Sequence, residues 1–155
     1  MSKETLSCVD CMVRNCEFRN SMYPDFCLTT DLTEDQVAEV LELYGEEENH
    51  KAMCAAAEVE CEGYLKKCRV EEIMMFAEKI GAKKLGIATC VGLLRESRTL
   101  AKILRSHGFE VYGAACKVGS IPKTEVGIDA KCEEIGKYMC NPILQAKLLN
   151  EAKTD

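Results

Sequence analysis

Four cysteines stand close together near the start of the chain, and they constrain its folding more than any other feature: Cys8, Cys11, Cys16 and Cys27. Residues 1–31, which carry them, have few periodic apolar positions and cannot bury enough surface to order themselves unaided. The spacing C-x2-C-x4-C-x10-C indicates that a bound metal orders this segment instead. A C-x2-C pair bends the backbone so that both sulfurs point at one centre. Four thiolates suit zinc or an iron–sulfur cluster. The sequence therefore predicts a loop-rich metal-binding module over residues 1–31.

The order of the gaps leaves the identity of the metal open. Plant-type ferredoxins have the x4 gap before the x2 gap, and zinc ribbons have two paired C-x2-C motifs, and this chain has neither arrangement. A thioredoxin-like dithiol at Cys8 and Cys11 is an alternative, although such a motif opens a helix after a strand and no strand is predicted before Cys8. Zinc and an iron–sulfur cluster therefore stay equal expectations, for a centre that is structural or carries electrons.

The eleven cysteines among 155 residues also set the expected compartment. Their number is odd, and disulfides explain them poorly in a reducing compartment, so metal ligation or thiol chemistry is the leading expectation. The start of the chain lacks the charged and apolar regions of a signal peptide, and no apolar run approaches the roughly 18 residues of a membrane span. We therefore expect a cytoplasmic protein with no membrane contact.

The net charge of −6 bears on the class of partner. Acidic residues are spread along the chain, and the sequence has no basic stripe that could neutralise phosphates. Nucleic acid is therefore not an expected partner. The expected partners are a metal ion or cluster and a small anionic ligand, and the sequence leaves a protein partner open.

Residues 32–155 have the pattern of an α/β domain. Thr33-x-x-Gln36 is a capping box ahead of apolar residues on one helical face, and it predicts a first helix. Two short apolar runs flank an amphipathic stretch, as in a βαβ unit with parallel strands and a right-handed crossover. The predicted segments are a helical part over 32–81 with helices at 33–45, 46–68 and 70–80, a βαβ core over 83–121 with strands at 84–89 and 109–115 around a helix at 93–105, and C-terminal helices over 127–153, namely 127–139 and one from Pro142. We expect a small, partly parallel sheet flanked by helices, forming one folding unit with residues 1–31.

Three more cysteines are expected at the carboxyl edge of this sheet. Cys90 follows the first predicted strand, Cys116 follows the second, and Cys140 begins the last helix, whose positive end would lower a thiol pKa. Ligands bind at this edge in open α/β sheets. The three thiols are therefore candidates for a second metal site or for nucleophiles, although each is also typical of a cysteine buried in a tight turn. The amides after Cys90, with Arg95 nearby, could hold a small anion.

The remaining cysteines and histidines suggest packing rather than chemistry. Cys54, Cys61 and Cys68 lie seven residues apart, a spacing that predicts core packing along one helix. Neither His50 nor His107 lies in a recognisable catalytic motif, so no acid or base is evident. The leading hypothesis is a metal-binding protein of unestablished activity. The alternative is a redox or metal-dependent enzyme that uses the thiols at the carboxyl edge of the sheet.

Short motifs in order along nearly the whole chain resemble those of a known family. They are Cys8-x2-Cys11-x4-Cys16, Tyr23-Pro24-x-Phe26-Cys27, Glu62-Gly63-Tyr64, Arg69-Val70-Glu71-Glu72, Gly86-Ile87-Ala88-x-Cys90-x-Gly92-Leu93, Gly108-Phe109-Glu110-Val111, Cys116-Lys117-Val118-Gly119 and Cys140-Asn141-Pro142-Ile143-x-Gln145-Ala146. With these motifs the chain resembles a family of uncharacterised, cysteine-rich prokaryotic proteins described as predicted metal-binding proteins, a domain of unknown function. The resemblance implies metal binding without an established reaction.

The resemblance assigns the cysteines to two sites. It implies one site at Cys8, Cys11, Cys16 and Cys27, and makes Cys90, Cys116 and Cys140 candidates for another. It also implies a further strand after the last helix, ending in a Gly-Leu-Cys-Val-Gly-His-Asp motif. This sequence ends at Asp155 and does not contain that motif. If the cysteine and histidine of the motif complete the second site, that site lacks ligands in this chain.

Overall fold

A computed structural model describes residues 5–155, in which helices outnumber strands. The helices are α1 Asn15–Phe18, α2 Leu28–Asp31, α3 Glu34–Gly45, α4 Glu47–Gly63, α5 Arg69–Ile80, α6 Leu94–Ser106 and α7 Pro142–Glu151, and the strands are β1 Lys84–Thr89 and β2 Glu110–Ala115. Short 3-10 turns cover Cys8–Asp10, Val91–Leu93, Lys123–Val126 and Ala130–Ile135. The fold is therefore α/β and rich in helix. Within the described range, no helix combines the length and the apolar character that crossing a membrane requires.

The chain divides into two compact units, Met1–Met53 and Cys54–Asp155. The division predicted at residue 31 is a different one and stays a prediction. In the described part of the first unit, residues 5–53, Asn15 is the one residue that is buried. That unit therefore has no apolar core in its described range, and its order must come from other interactions.

Capping explains where two helices begin. The Thr33 hydroxyl accepts the Gln36 N–H at 3.2 Å, and the Gln36 side chain accepts the Thr33 N–H at 2.9 Å. The predicted capping box of α3 is confirmed, and the helix ends at Gly45 as expected. Helix α5 uses the same device, because Glu71 accepts the Cys68 N–H at 2.9 Å.

Helix α4 is shorter than the helix predicted over residues 46–68. It ends at Gly63 rather than near Cys68, because Leu65 adopts a left-handed backbone with φ 55°. The buried residues of α4 are Ala55, Val59 and Gly63, which are spaced by four.

The predicted packing of the helical cysteines is wrong for two of the three. Cys61 is exposed on α4, and Cys68 is exposed at the start of α5, while Cys54 is half-buried. The seven-residue spacing of the cysteines does not mark the buried face of α4. That face is formed by Ala55, Val59 and Gly63, which are spaced by four.

The second unit is built around one pair of parallel strands. β1 pairs with β2 from Lys84 opposite Glu110 to Thr89 opposite Ala115, and α6 lies between them in the chain. The predicted strands are confirmed, the second beginning one residue later than expected. The core beneath them consists of buried side chains from α5, α6 and the approach to β2: Met74, Ala77, Leu104 and Phe109. Burial of this apolar surface is the main force holding the sheet to its helices.

The helix predicted over residues 127–139 is wrong. The segment forms the 3-10 turn Ala130–Ile135 between Gly127 and Gly136, whose φ values of 79° and 134° interrupt any helix. Pro122 and Tyr138 then pair in an isolated antiparallel bridge. The last helix, α7, begins at Pro142 as predicted, and the Asn141 side chain caps it by accepting the Leu144 N–H at 3.0 Å.

Gln145 on α7 ties both strands to that helix. Its side chain is 7% exposed, and its amide donates to the Thr89 carbonyl at 3.0 Å and to the Ala114 carbonyl at 2.8 Å. These carbonyls lie at the carboxyl ends of β1 and β2, and the Thr89 carbonyl also accepts the Cys116 N–H at 2.8 Å. One buried amide therefore fixes the position of α7 on the edge that carries Cys90 and Cys116.

Replacing this amide should destabilise the second unit. We expect Gln145→Leu to lower the free energy of unfolding by about 1–3 kcal/mol, because the Ala114 and Thr89 carbonyls lose a buried side-chain donor, although the Thr89 carbonyl keeps the Cys116 N–H. Lys147→Leu, on the exposed face of the same helix, should change it by less than about 0.5 kcal/mol. Chemical denaturation followed by circular dichroism measures both, and equal effects of the two substitutions would contradict the tie.

Candidate functional site

The four N-terminal cysteines line one small pocket, which we call the N-terminal cysteine pocket. Cys8, Cys11, Cys16 and Cys27 surround about 110 Å³, together with Asn15 and the aromatic side chains of Tyr23 and Phe26. Cys11 and Cys27 are half-buried, while Cys8 and Cys16 are exposed. The structure therefore brings all four of these predicted ligands to the same pocket.

The chain around Cys11 is folded so that its sulfur receives backbone hydrogen bonds. The N–H groups of Arg14 and Val13 donate to this sulfur and lower the pKa of Cys11. Arg14 can present its N–H because it adopts a left-handed backbone with φ 53°, which turns the chain back after Cys11. The preceding turn, in which the Cys11 N–H donates to the Cys8 carbonyl at 3.2 Å, brings Cys8 alongside. The C-x2-C spacing thus does produce a local reversal of the backbone.

Asn15 holds the loop that follows. It is 3% exposed, and its side-chain amide donates to the Ser21 carbonyl at 2.8 Å and accepts the Ser21 N–H at 3.0 Å. These two bonds close residues 15–21 around the short helix α1, which carries Cys16. Sequence reasoning did not single out Asn15, and its position beside a cysteine in a segment without apolar periodicity is the available signal.

The arginine beside this pocket is engaged elsewhere. The Arg14 guanidinium forms an ion pair with Glu17 and lies 5.1 Å from the centroid of the Phe18 ring. The positive charge of Arg14 is therefore paired with residues of α1 rather than with the cysteine sulfurs.

A second cluster lies at the carboxyl ends of the strands, and we call it the sheet-edge thiol cluster. Cys90 and Cys116 directly follow β1 and β2, and the Cys116 thiol interacts with the thiols of both Cys140 and Cys90. The Asn141 N–H donates to the Cys116 carbonyl at 2.7 Å, which brings the start of α7, and with it Cys140, to this edge. The structure thus brings these three thiols together around Cys116.

The three thiols have unlike surroundings. Cys116 is 7% exposed, whereas Cys90 and Cys140 are exposed. The Val91 N–H, 3.4 Å from the Cys116 sulfur, lowers the pKa of Cys116, but burial and the two neighbouring thiols outweigh it and leave that pKa raised. The Cys116 thiol and then Lys117 lower the pKa of Cys140. One edge of the sheet therefore holds an exposed thiol that favours the thiolate and a buried thiol that does not.

Lys117 is a site residue to which sequence reasoning gave no role. Its ammonium group donates to the Tyr138 carbonyl at 2.6 Å and lies 3.5 Å from the Cys140 sulfur. In the sequence, Lys117 is marked only by its position directly after Cys116. That position does not indicate that its side chain lies near the sulfur of Cys140, 23 residues further on.

The amides predicted to hold an anion after Cys90 are already donors to sulfur. The Val91 N–H faces the Cys116 sulfur, and the Gly92 N–H lies 3.4 Å from the Cys90 sulfur. Arg95 lines a different, shallow pocket formed by α5 and α6, with Val70 and Thr99. An anionic ligand at this edge stays a prediction.

The described side chains do not form a ready-made metal site. Between residues 5 and 155, no three side chains among His, Cys, Asp and Glu are already arranged to hold a metal ion. The four sulfurs of the N-terminal cysteine pocket thus share a pocket without standing at ligand distances from one centre.

Comparison with known proteins places the chain in a family. Residues 27–155 match the family model described as "Protein of unknown function (DUF1847)". Cys27 and the sheet-edge thiol cluster lie inside this match, whereas Cys8, Cys11 and Cys16 lie before it. No solved structure matches the chain.

A relative in the archaeon Methanocaldococcus jannaschii, itself an uncharacterised protein, is 43% identical over 125 residues. The alignment covers 81% of this chain and 64% of the relative, so the chain spans less than two thirds of the relative's length. These matches agree with the expected cysteine-rich family of unknown function. The chain belongs to the DUF1847 family, whose function is not known.

Proposed function

We propose that this protein binds a metal centre, zinc or an iron–sulfur cluster, through Cys8, Cys11, Cys16 and Cys27. The observation that carries the proposal is that all four cysteines, spread over 20 residues of sequence, line one pocket of about 110 Å³. Unrelated surface cysteines have no reason to share a pocket. Four thiols in one place have the donor set of a structural zinc or iron–sulfur centre.

The environment of Cys11 supports ligation by a thiolate. Metals bind the deprotonated sulfur, so a site must favour loss of the thiol proton. The two N–H groups that donate to the Cys11 sulfur do this by stabilising its negative charge. Hydrogen bonds of this kind also orient ligands and tune the centre in metalloproteins.

The lack of an apolar core in the first unit supports a structural role for the metal. Within residues 5–53, burial is confined to the polar residue Asn15. A segment of this kind gains too little from the hydrophobic effect to offset its conformational entropy. Binding of a metal by four thiolates supplies free energy to the folded state directly, which is how small metal-dependent units become ordered.

The fit of the residues requires a modest movement. Zinc–sulfur bonds are about 2.3 Å long, so the four sulfurs would have to move to reach one ion. A cysteine sulfur changes position when the side chain rotates about its one torsion angle. When bound, zinc would hold the segment together, and an iron–sulfur cluster would in addition carry an electron.

Removing one ligand should release the metal. We expect Cys11→Ser to lose the bound metal and to make residues 5–31 accessible to proteases. In the proposal this sulfur binds the metal, and it also accepts the backbone N–H groups of Val13 and Arg14 that form the turn. Cys61→Ser is the matched control, since Cys61 is exposed on α4 and far in sequence from the pocket. Elemental analysis and limited proteolysis measure the two effects, and retention of metal by Cys11→Ser would refute the assignment.

The identity of the metal follows from a direct measurement on protein purified without oxygen. About one zinc per chain and a colourless solution would make the centre a structural one. Iron with matching sulfide and a brown colour would make it a centre for electron transfer. Protein without bound metal would overturn the proposal.

The two hydrogen bonds between Asn15 and Ser21, which we call the Asn15 clamp, should raise the affinity for the metal although Asn15 is not a ligand. We expect Asn15→Ala to weaken metal binding by about 10–100-fold, the usual effect of losing a residue that positions ligands. Asn20→Ala is the control, because Asn20 is an exposed asparagine in the same loop. Competition with a chelator of known affinity measures both, and equal affinities would show that Asn15 does not support the centre.

A further inference from the structure

We propose that Cys140 and Cys116 are a redox-active dithiol, in which Cys140 attacks a disulfide-bonded substrate and Cys116 resolves the product. This activity would lie in the second unit and does not depend on the metal centre proposed for the first. The substrate class is a disulfide, in a small molecule or in another protein. The argument rests on three features of the sheet-edge thiol cluster: proximity, unequal exposure and a neighbouring cation.

The two thiols are held together by backbone structure rather than by chance. Cys116 directly follows β2, Cys140 precedes α7, and the Asn141 N–H bond to the Cys116 carbonyl, 2.7 Å long, joins the two segments. Gln145, one turn further along α7, fixes the same junction from the buried side through its bonds to Thr89 and Ala114. A disulfide needs its two Cα atoms within about 7 Å, which this backbone contact permits.

The unequal exposure of the two thiols suits the two steps of thiol–disulfide exchange. Cys140 is exposed and can reach a substrate, whereas Cys116 is 7% exposed and can be reached only by its neighbours. The first step requires an accessible thiolate. The second is intramolecular, so a buried thiol serves it and is protected from attacking other molecules.

Lys117 supplies the cation that the attacking thiol needs. Its ammonium group lies 3.5 Å from the Cys140 sulfur and is held there by the Tyr138 carbonyl. A cation at this distance favours the thiolate of Cys140. In the part of the chain that the structure describes, no lysine or arginine is hydrogen-bonded to the sulfur of Cys90, which is why Cys140 and not Cys90 is assigned the attack.

The chemistry balances with the substrate disulfide as the oxidant. The Cys140 thiolate attacks one sulfur of R–S–S–R′, the S–S bond breaks, R′–S⁻ leaves, and a mixed disulfide forms between Cys140 and R. Cys116 then gives up its proton to the departing thiolate and attacks the Cys140 sulfur. The bond to R breaks, R–S⁻ leaves, and a Cys116–Cys140 disulfide remains. Two electrons pass from the dithiol to the substrate, and a substrate dithiol would reverse the sequence.

The test uses the reduced full chain with its bound metal in place and oxidised glutathione as the probe. Peptide mass spectrometry follows each cysteine with time. We expect the wild type to form the Cys116–Cys140 disulfide without retaining glutathione. Cys116→Ser should stop at glutathione on Cys140, and Cys140→Ser should form neither product at this edge.

Two matched cysteine variants serve as controls. Cys90→Ser removes the other thiol beside Cys116, and Cys132→Ser removes a half-buried thiol elsewhere in the second unit. Both should still form the Cys116–Cys140 disulfide. Unchanged metal content in all variants separates this result from the metal centre of the first unit.

The role of Lys117 has its own readout. Lys117→Met should slow the formation of the mixed disulfide on Cys140 by about three- to tenfold, since fewer thiolates form while each remaining thiolate is somewhat more nucleophilic. Lys117→Arg should restore most of the rate. A structural role alone would not be rescued in this way.

Three results would overturn the proposal. One is a wild-type chain that forms a Cys90–Cys116 disulfide, or that holds glutathione on Cys140 without resolving it. Another is a Cys140 that reacts no faster than the exposed Cys61. The third is a cluster that stays unreactive until a chelator removes metal from it, which would make these thiols ligands instead. Because the wild-type result needs no substitution, a variant that failed to fold would still leave the proposal decided.

Discussion

Parallel pairing of β1 with β2 is the constraint on which the second unit depends. Parallel strands bring their carboxyl ends to one edge, so the residue after each strand, Cys90 or Cys116, is delivered to the same place by backbone geometry. The sheet alone does not bring Cys140. That thiol arrives because α7 is held to the edge by the Gln145 amide and by the bond between Asn141 and Cys116. The same polar contacts therefore stabilise the fold and assemble the thiols, which ties the chemistry of this edge to its stability.

The first unit is governed by a different constraint. Its described residues, 5–53, bury no apolar side chain, so order there depends on capping, turns and the Asn15 clamp around the cysteines. Such interactions contribute about 1 kcal/mol each and do not replace a core. A thiolate centre, as proposed, would supply the missing free energy. The two cysteine groups thus have different surroundings, one at the edge of a sheet that packs on an apolar core and the other in a segment whose described residues form no such core.

The success of sequence reasoning varied with the type of signal. Strand β1 and helices α3 and α7 were predicted because local patterns specify them: an apolar run, a capping box, and a proline in the first turn. The helix over 127–139 was wrong because its two glycines adopt positive φ values, which the periodicity of the intervening residues does not reveal. The packing of Cys61 and Cys68 was wrong because the sequence alone cannot tell which face of α4 meets a neighbour. The metal and the anionic ligand stay predictions.

The sequence by itself determined that the chain is rich in cysteine, that four cysteines stand at spacings suited to one centre, and that two others directly follow neighbouring strands. These conclusions follow from chain distance and strand periodicity, which are local properties. Tertiary structure decided which thiol is buried and that Lys117 faces the Cys140 sulfur. It also decided that Gln145 holds the sheet-edge thiol cluster in place and that Asn15, separately, holds the loop of the N-terminal cysteine pocket. Each of these contacts joins residues whose spacing in the chain carries no signal. The contacts depend on how separately formed segments pack and on which backbone groups then lie within reach of a side chain.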